Sequence, residues 1–74
     1  MVNACVLVRV IPGRLEDVAN ALKGVANVRK SFVTFGRYDA VVFIEAPDVK
    51  TAADTALEVN ALAGVKSTET ALEL

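Results

Sequence analysis

Asn20-Ala21-Leu22-Lys23-Gly24-Val25 returns further along the chain as Asn60-Ala61-Leu62-Ala63-Gly64-Val65, with five of the six positions identical. Both copies read the same way. Ala and Leu favour a helix, Gly supplies the residue that ends it, and β-branched Val opens a strand. A chain that passes this junction twice contains two strand–helix–strand halves.

Working outward from the first copy, residues 3–11 read as a strand. Its even positions Ala4, Val6, Val8 and Val10 are apolar, and Cys5 and Leu7 make the odd side apolar as well, broken by Asn3 and Arg9. A strand apolar on both sides calls for cover on both. Pro12-Gly13 ends it, because proline has no N–H for a ladder. Residues 14–23 follow as an amphipathic helix. Leu15, Val18, Ala19 and Leu22 share one face, opposite Glu16, Asp17, Asn20 and Lys23. The acidic pair in the first turn suits the helix dipole.

Residues 25–35 form the next predicted strand, weighted by Val28, Phe32, Val33 and Phe35, with Arg29-Lys30 turned to solvent or to a channel between copies. Gly36-Arg37 predicts a tight turn that returns residues 38–46 antiparallel. Pro47 closes that strand, and Asp48 caps a helix over 49–63. Its small-residue face is Val49, Ala52, Ala53, Ala56, Val59 and Ala63, and Lys50, Asp54 and Glu58 lie on the wet side. Gly64 ends it, and 65–74 is the last strand.

The order is βαββαβ. Two split βαβ halves of this kind make an α+β ferredoxin-like sandwich, a four-stranded antiparallel sheet with two helices on one face. The chain 1–74 reads as a single domain. The other sheet face carries Cys5, Leu7 and much of the third strand, and no segment remains to cover it. At roughly 25 cal/mol per Å2 of apolar surface, that exposure predicts a homodimer of the dimeric α+β barrel type, built into a higher oligomer. Composition agrees. Hydrophobic residues are 54% of the chain and charged residues 23%, more apolar material than a thin layer of this size hides.

Net charge is −1 and Lys and Arg form no run, so the positive footprint of direct nucleic-acid binding is missing. Arg9, Arg37 and Glu45 interrupt every apolar stretch before the roughly 20 residues a membrane span needs. Met1-Val2-Asn3-Ala4 lacks a basic leader region. The lone Cys5 sits in an apolar run as a small hydrophobe. A cytoplasmic location follows as the expectation. Histidine is absent, which removes the commonest metal ligand, the commonest general base and the usual partner of a reactive thiolate. No catalytic residue, metal or cofactor is expected.

Three segments carry a more specific signal: Val10-Ile11-Pro12-Gly13, Thr34-Phe35-Gly36-Arg37-Tyr38-Asp39, and Gly64-Val65-Lys66-Ser67-Thr68-Glu69-Thr70. In this order they resemble the effector-binding domain of the Lrp/AsnC transcriptional regulators, the RAM domain (regulation of amino-acid metabolism). The second matches that family's G-x-Y-D hairpin and the third its G-V-x-x-T-x-T entry to the final strand. The first strand begins at Asn3, so the chain looks like a version without the helix-turn-helix reading head. The resemblance implies a non-enzymatic module that dimerises through its sheet, assembles into rings, and holds an amino acid between dimers beside the G-x-Y-D turn. A full-length Lrp/AsnC regulator is a further implied partner.

The candidate ligand-binding residues are Thr34, Gly36, Tyr38, Asp39, Ser67, Thr68 and Thr70. Gly36 lets backbone N–H groups approach a carboxylate without a Cβ in the way. Asp39 can accept from an α-ammonium, the hydroxyls come from neighbouring strands or subunits, and Phe35 or Tyr38 offers apolar surface. Each has a plainer reading: a hairpin glycine, an aspartate bonded to its own turn, a packed interface tyrosine, and threonines that simply favour strands. Two other classes share the fold. An ACT-type amino-acid-binding domain would use the Pro12-Gly13 turn, and a small α+β barrel monooxygenase would need polar groups inside the barrel, which the strands supply sparsely. A copper chaperone fails for want of a second cysteine.

Overall fold

Alternation along the first strand decides the architecture. In the computed structural model, which describes residues 1–73, Ala4, Val6, Val8 and Val10 of β1 (Val2–Val10) are all buried, while Cys5 and Leu7 between them are half-buried. The elements that follow are α1 (Leu15–Leu22), β2 (Val28–Val33), β3 (Ala40–Ala46), α2 (Val49–Asn60) and β4 (Val65–Leu72). They build a four-stranded antiparallel sheet in the order β2-β3-β1-β4. This is the ferredoxin-like βαββαβ fold expected from the sequence.

The core lies between the sheet and the helices. Even positions of β1 meet Ala40, Val42, Ile44 and Ala46 of β3 in register. Val18 and Leu22 of α1 and Ala52, Ala56 and Val59 of α2 close over them, all at most 7% exposed. Thr55 is buried among these apolar residues; its hydroxyl donates to the Thr51 carbonyl and accepts from Asn27. Val49 and Ala53, assigned to the inner face from spacing, are exposed, because Thr55 takes the inward position.

Several boundaries move for local reasons. The expected strand start at Val25 is still turning: the Val25 N–H bonds the Leu22 carbonyl, and Asn27 adopts a φ of 72°. Val25 nevertheless stays buried beneath the core. The second helix stops at Asn60 rather than Ala63, with Ala61 as its C-cap. Asp48 does cap its start, accepting from the Thr51 N–H at 2.7 Å. Gly36-Arg37 is not a tight turn. β2 ends at Val33 and β3 begins at Ala40, leaving the broader loop 34–39. The expected end of the last strand at Leu74 lies outside the described residues. Among the described residues, no helix is long and apolar enough to cross a membrane.

Candidate functional site

Loop 34–39 is held against the sheet by bonds at both ends. The Thr34 N–H donates to the Asp39 carbonyl and the Asp39 N–H to the Val8 carbonyl, each at 2.9 Å. The Thr34 hydroxyl donates to the Tyr38 carbonyl at 2.8 Å. Asp39 Oδ2 accepts from the Val10 N–H at 2.8 Å. The reason lies in the register. β3 begins at Ala40, opposite Val8, so Val10 has no strand partner on that side. The Asp39 carboxylate takes the place of the missing strand carbonyl and extends the ladder by one step. One carboxylate oxygen, Oδ1, is left without a hydrogen bond among the described residues.

At the tip of this loop, Gly36 has a φ of +125° with open space around it. Its backbone is accessible, and a side chain there would be strained by the dihedral rather than by neighbours. Tyr38 reaches over β1 and donates its phenol O–H to Glu69 Oε2 on β4. That bond raises the Tyr38 pKa above the ordinary phenol value, by holding the protonated form against a carboxylate; Arg37 and Arg9 pull weakly the other way.

The seven candidate residues do not form one cluster. Thr34, Gly36, Tyr38 and Asp39 share the loop. Ser67 pairs with Arg9, which places it on the uncovered face of the sheet near Tyr38. Thr68 and Thr70 pair with Val8 and Val6, which puts them on the helix side. There the Thr68 hydroxyl donates to Asn60 Oδ1 at 3.0 Å. Glu69 and Asn60, partners of Tyr38 and Thr68, escaped the sequence reading. Only the β1–β4 register, with its shift between Arg9 and Val10, tells which of the residues 67–70 face which way.

The uncovered face is the second feature of functional interest. Leu7, Cys5, Val41 and Phe43 run along its centre, and Phe32 on edge strand β2 is 51% exposed. The Phe32 and Phe43 rings meet edge-on, centroids 5.9 Å apart. Lys30 lies with its Nζ 5.6 Å from the Phe43 centroid, covering aromatic surface with an ammonium that stays wet. Arg29, expected at solvent or a channel, pairs with Glu45 at 2.5 Å. The result is an apolar strip rimmed by charge, open to whatever packs on it.

A fold of this kind defines a small ferredoxin-like α+β module with one face of its sheet left open among the described residues. Residues 8–73 match the model of the GYD domain, and the chain belongs to that family. It is similar to TTHA0845 from Thermus thermophilus, with 29% identity over 100% of this chain and 94% of that one, TM-score 0.92. It is also similar in fold to E. coli AsnC, with 15% identity over 99% of this chain and 50% of that one, TM-score 0.88. A third likeness is the transcriptional regulator NMB0573 from Neisseria meningitidis, solved as an L-Met complex, with 18% identity over 99% of this chain and 49% of that one, TM-score 0.85. The chain thus spans about half the length of those two regulators. No curated protein matches it.

Proposed function

We propose that this chain is a non-enzymatic effector-binding and oligomerisation module of the Lrp/AsnC type, pairing through the uncovered face of its sheet. The observation that carries the reading is that face: Cys5, Leu7, Val41, Phe43 and Phe32 lie on it, with no other segment packed over them among the described residues. Apolar surface left open in this way is characteristic of an interaction site. The fold shared with AsnC and with a regulator solved with L-Met supports a small metabolite, an amino acid first, as the ligand.

In this reading loop 34–39 supplies half of the ligand site. Gly36 offers backbone N–H groups to a carboxylate, the free Asp39 oxygen accepts from an ammonium, and Thr34, Tyr38 and Ser67 line the approach. Thr68 and Thr70 sit on the other side of their own sheet, so they join the site from a second copy. A ligand bound between copies adds contacts to the assembled state and shifts the population toward it. The chain acts inside the cell on itself and on a full-length regulator, and it does not touch DNA.

Titration calorimetry of the full chain against single amino acids tests the ligand. Binding that weakens when Asp39 is replaced by Ala supports the reading. Absence of both heat and thermal shift across all the amino acids removes the ligand from it.

A further inference from the structure

β4 is one edge of the sheet, and its backbone is open along most of its length. The Glu73 N–H donates to the Asn3 carbonyl at 2.9 Å. Because backbone groups alternate in direction along a strand, Ser67, Glu69 and Ala71 also turn theirs to β1, while Thr68, Thr70 and Leu72 turn theirs outward. No strand lies beyond them among the described residues, so these N–H and C=O groups have no ladder partner. The other edge, β2, is built differently. Its register shifts between Val28 and Lys30, and Arg29-Lys30 stands at that bulge. A bulge and basic side chains are devices that keep an edge from pairing. On β4 the shift falls before Thr68, and the three residues that face outward through their backbone are uncharged.

We propose that the β4 edge pairs antiparallel with the β4 edge of a second copy, about a two-fold axis through Thr70 perpendicular to the sheet. Helix α2 selects a second copy over a lone peptide strand. Ala53 and Leu57 line the groove above Thr68 and Thr70, and Val49 lies one turn before Ala53 on the same stripe. Val49 is 44% and Leu57 66% exposed. A peptide added to β4 would leave both in water. A second copy brings its own α2, which sets Val49 against the partner's Leu57. Small Ala53 lies at the centre, where two helices approach to about 8–10 Å. The stripe is apolar, small, apolar in either direction about Ala53, as a two-fold contact requires.

The axis falls at Thr70 for two reasons. Asn60 holds Thr68, and Ala53, seven residues back along α2, lies about 10 Å from Asn60. Three strand residues span the same length, so Ala53 comes level with the strand just beyond Thr70. Pairing Thr70 with the partner's Thr70 also sets Ser67 opposite the partner's Glu73, in the row that Arg9 already shares with Ser67. Neither Arg9 nor Glu73 makes an ion pair among the described residues. The short Ser67 side chain lets the two charges meet across it, once on each side of the axis. The neighbouring register, Thr68 against the partner's Thr70, would face Glu69 with the partner's Glu69, a like-charge pair. This contact goes beyond the proposed face pairing and uses none of the open face. Where it forms, Thr68 and Thr70 lie under the paired helices and are withdrawn from the ligand, whose site keeps Thr34, Gly36, Tyr38, Asp39 and Ser67.

Oxidative cross-linking of the full chain tests it, with Thr70→Cys placed in a Cys5→Ser background and read by non-reducing electrophoresis. Opposed residues of a hydrogen-bonded antiparallel pair have Cα atoms about 5.5 Å apart, within reach of a disulfide. Lys66→Cys in the same background is the control. It is exposed on the same strand but in this register lies about 26 Å from its own copy, so it should not bridge. Adding Phe43→Ala should leave the Thr70→Cys bridge in place. A bridge lost with Phe43 assigns it to face pairing and overturns the edge contact. Sedimentation of Thr70→Pro gives an independent reading. Its N–H faces away from β1, so proline there removes no bond of the chain's own sheet, and unchanged circular dichroism is the control for folding. Thr70→Pro and Ala53→Arg should each weaken association at the edge by roughly tenfold or more. Arg9→Glu should weaken it less, and Glu73→Arg beside it should restore it. No bridge at Thr70→Cys beyond that of Lys66→Cys, together with an assembly that depends on Phe43, overturns the edge contact while face pairing stands.

Discussion

The two faces of the sheet differ both in composition and in what lies over them. The helix side is apolar almost throughout, while the open side is a strip of Cys5, Leu7, Val41, Phe43 and Phe32 flanked by Asn3, Arg9, Lys30, Glu45 and Glu69. On β3, Val42 and Ile44 are at most 1% exposed beneath the helices, while Val41 and Phe43 between them remain half-buried on the open side. The same strand therefore contributes to folding through one set of residues and is available for association through the other. Among the described residues, the two helices, of 8 and 12 residues, both pack on one side of the sheet.

Neighbouring residues on β3 give the sharpest way to break this comparison. Ile44→Ala should cost about 2–5 kcal/mol of unfolding free energy through the lost side chain and the cavity it leaves. That loss should appear equally at low and high protein concentration in urea melts. Phe43→Ala should instead remove the concentration dependence of the melting temperature that self-association confers. If both variants lose stability to the same extent at all concentrations, the open face is not an interface.

Asp39→Ala is the next test, because it asks whether the candidate site also holds the sheet together. The substitution leaves the Val10 N–H without its acceptor and should cost about 1–3 kcal/mol, read by the same melts. Asp39→Asn keeps an acceptor and should recover most of that loss. A loss of stability as large in Asn as in Ala would show that the carboxylate charge, rather than the hydrogen bond, matters at this position.

The smallest effect concerns the start of α2. The bond from Thr51 lowers the Asp48 pKa below its ordinary 3.8. A carboxyl depressed in the folded state stabilises fully above its unfolded value, and that contribution is lost as pH falls through the folded one. The loss should therefore begin just under pH 4 and finish below the depressed value. Asp48→Ala should be slightly less stable than the parent at pH 7, with the gap closing in that acid window. A gap that persists unchanged into acid would contradict the cap.

Legibility followed the range of the forces involved. The repeated Asn-Ala-Leu-x-Gly-Val junction marks the ends of both helix–strand passages, and Gly64, with a φ of +94° and less than van der Waals room for a Cβ beside Val18 Cγ2 at 3.0 Å, shows why glycine stands there. Asp48 was equally readable, since a cap depends on residues three apart. The loop at Gly36 was misread as a tight turn, because its width is set by Asp39 bonding to β1, a strand far away in sequence. The seven candidate ligand residues divided for a similar reason. Spacing along 67–70 alternates faces, but the shift between Arg9 and Val10 decides which face is which.

Composition and periodicity alone thus determined that four strands and two helices would fold with apolar residues in excess, since those properties depend on each residue and its near neighbours. Tertiary structure alone decided that Tyr38 meets Glu69, that Thr68 and Thr70 turn away from the loop, and that Phe35 stands clear of its own chain. Those facts come from strand register and from what packs over each face, which are set by contacts between residues distant in sequence.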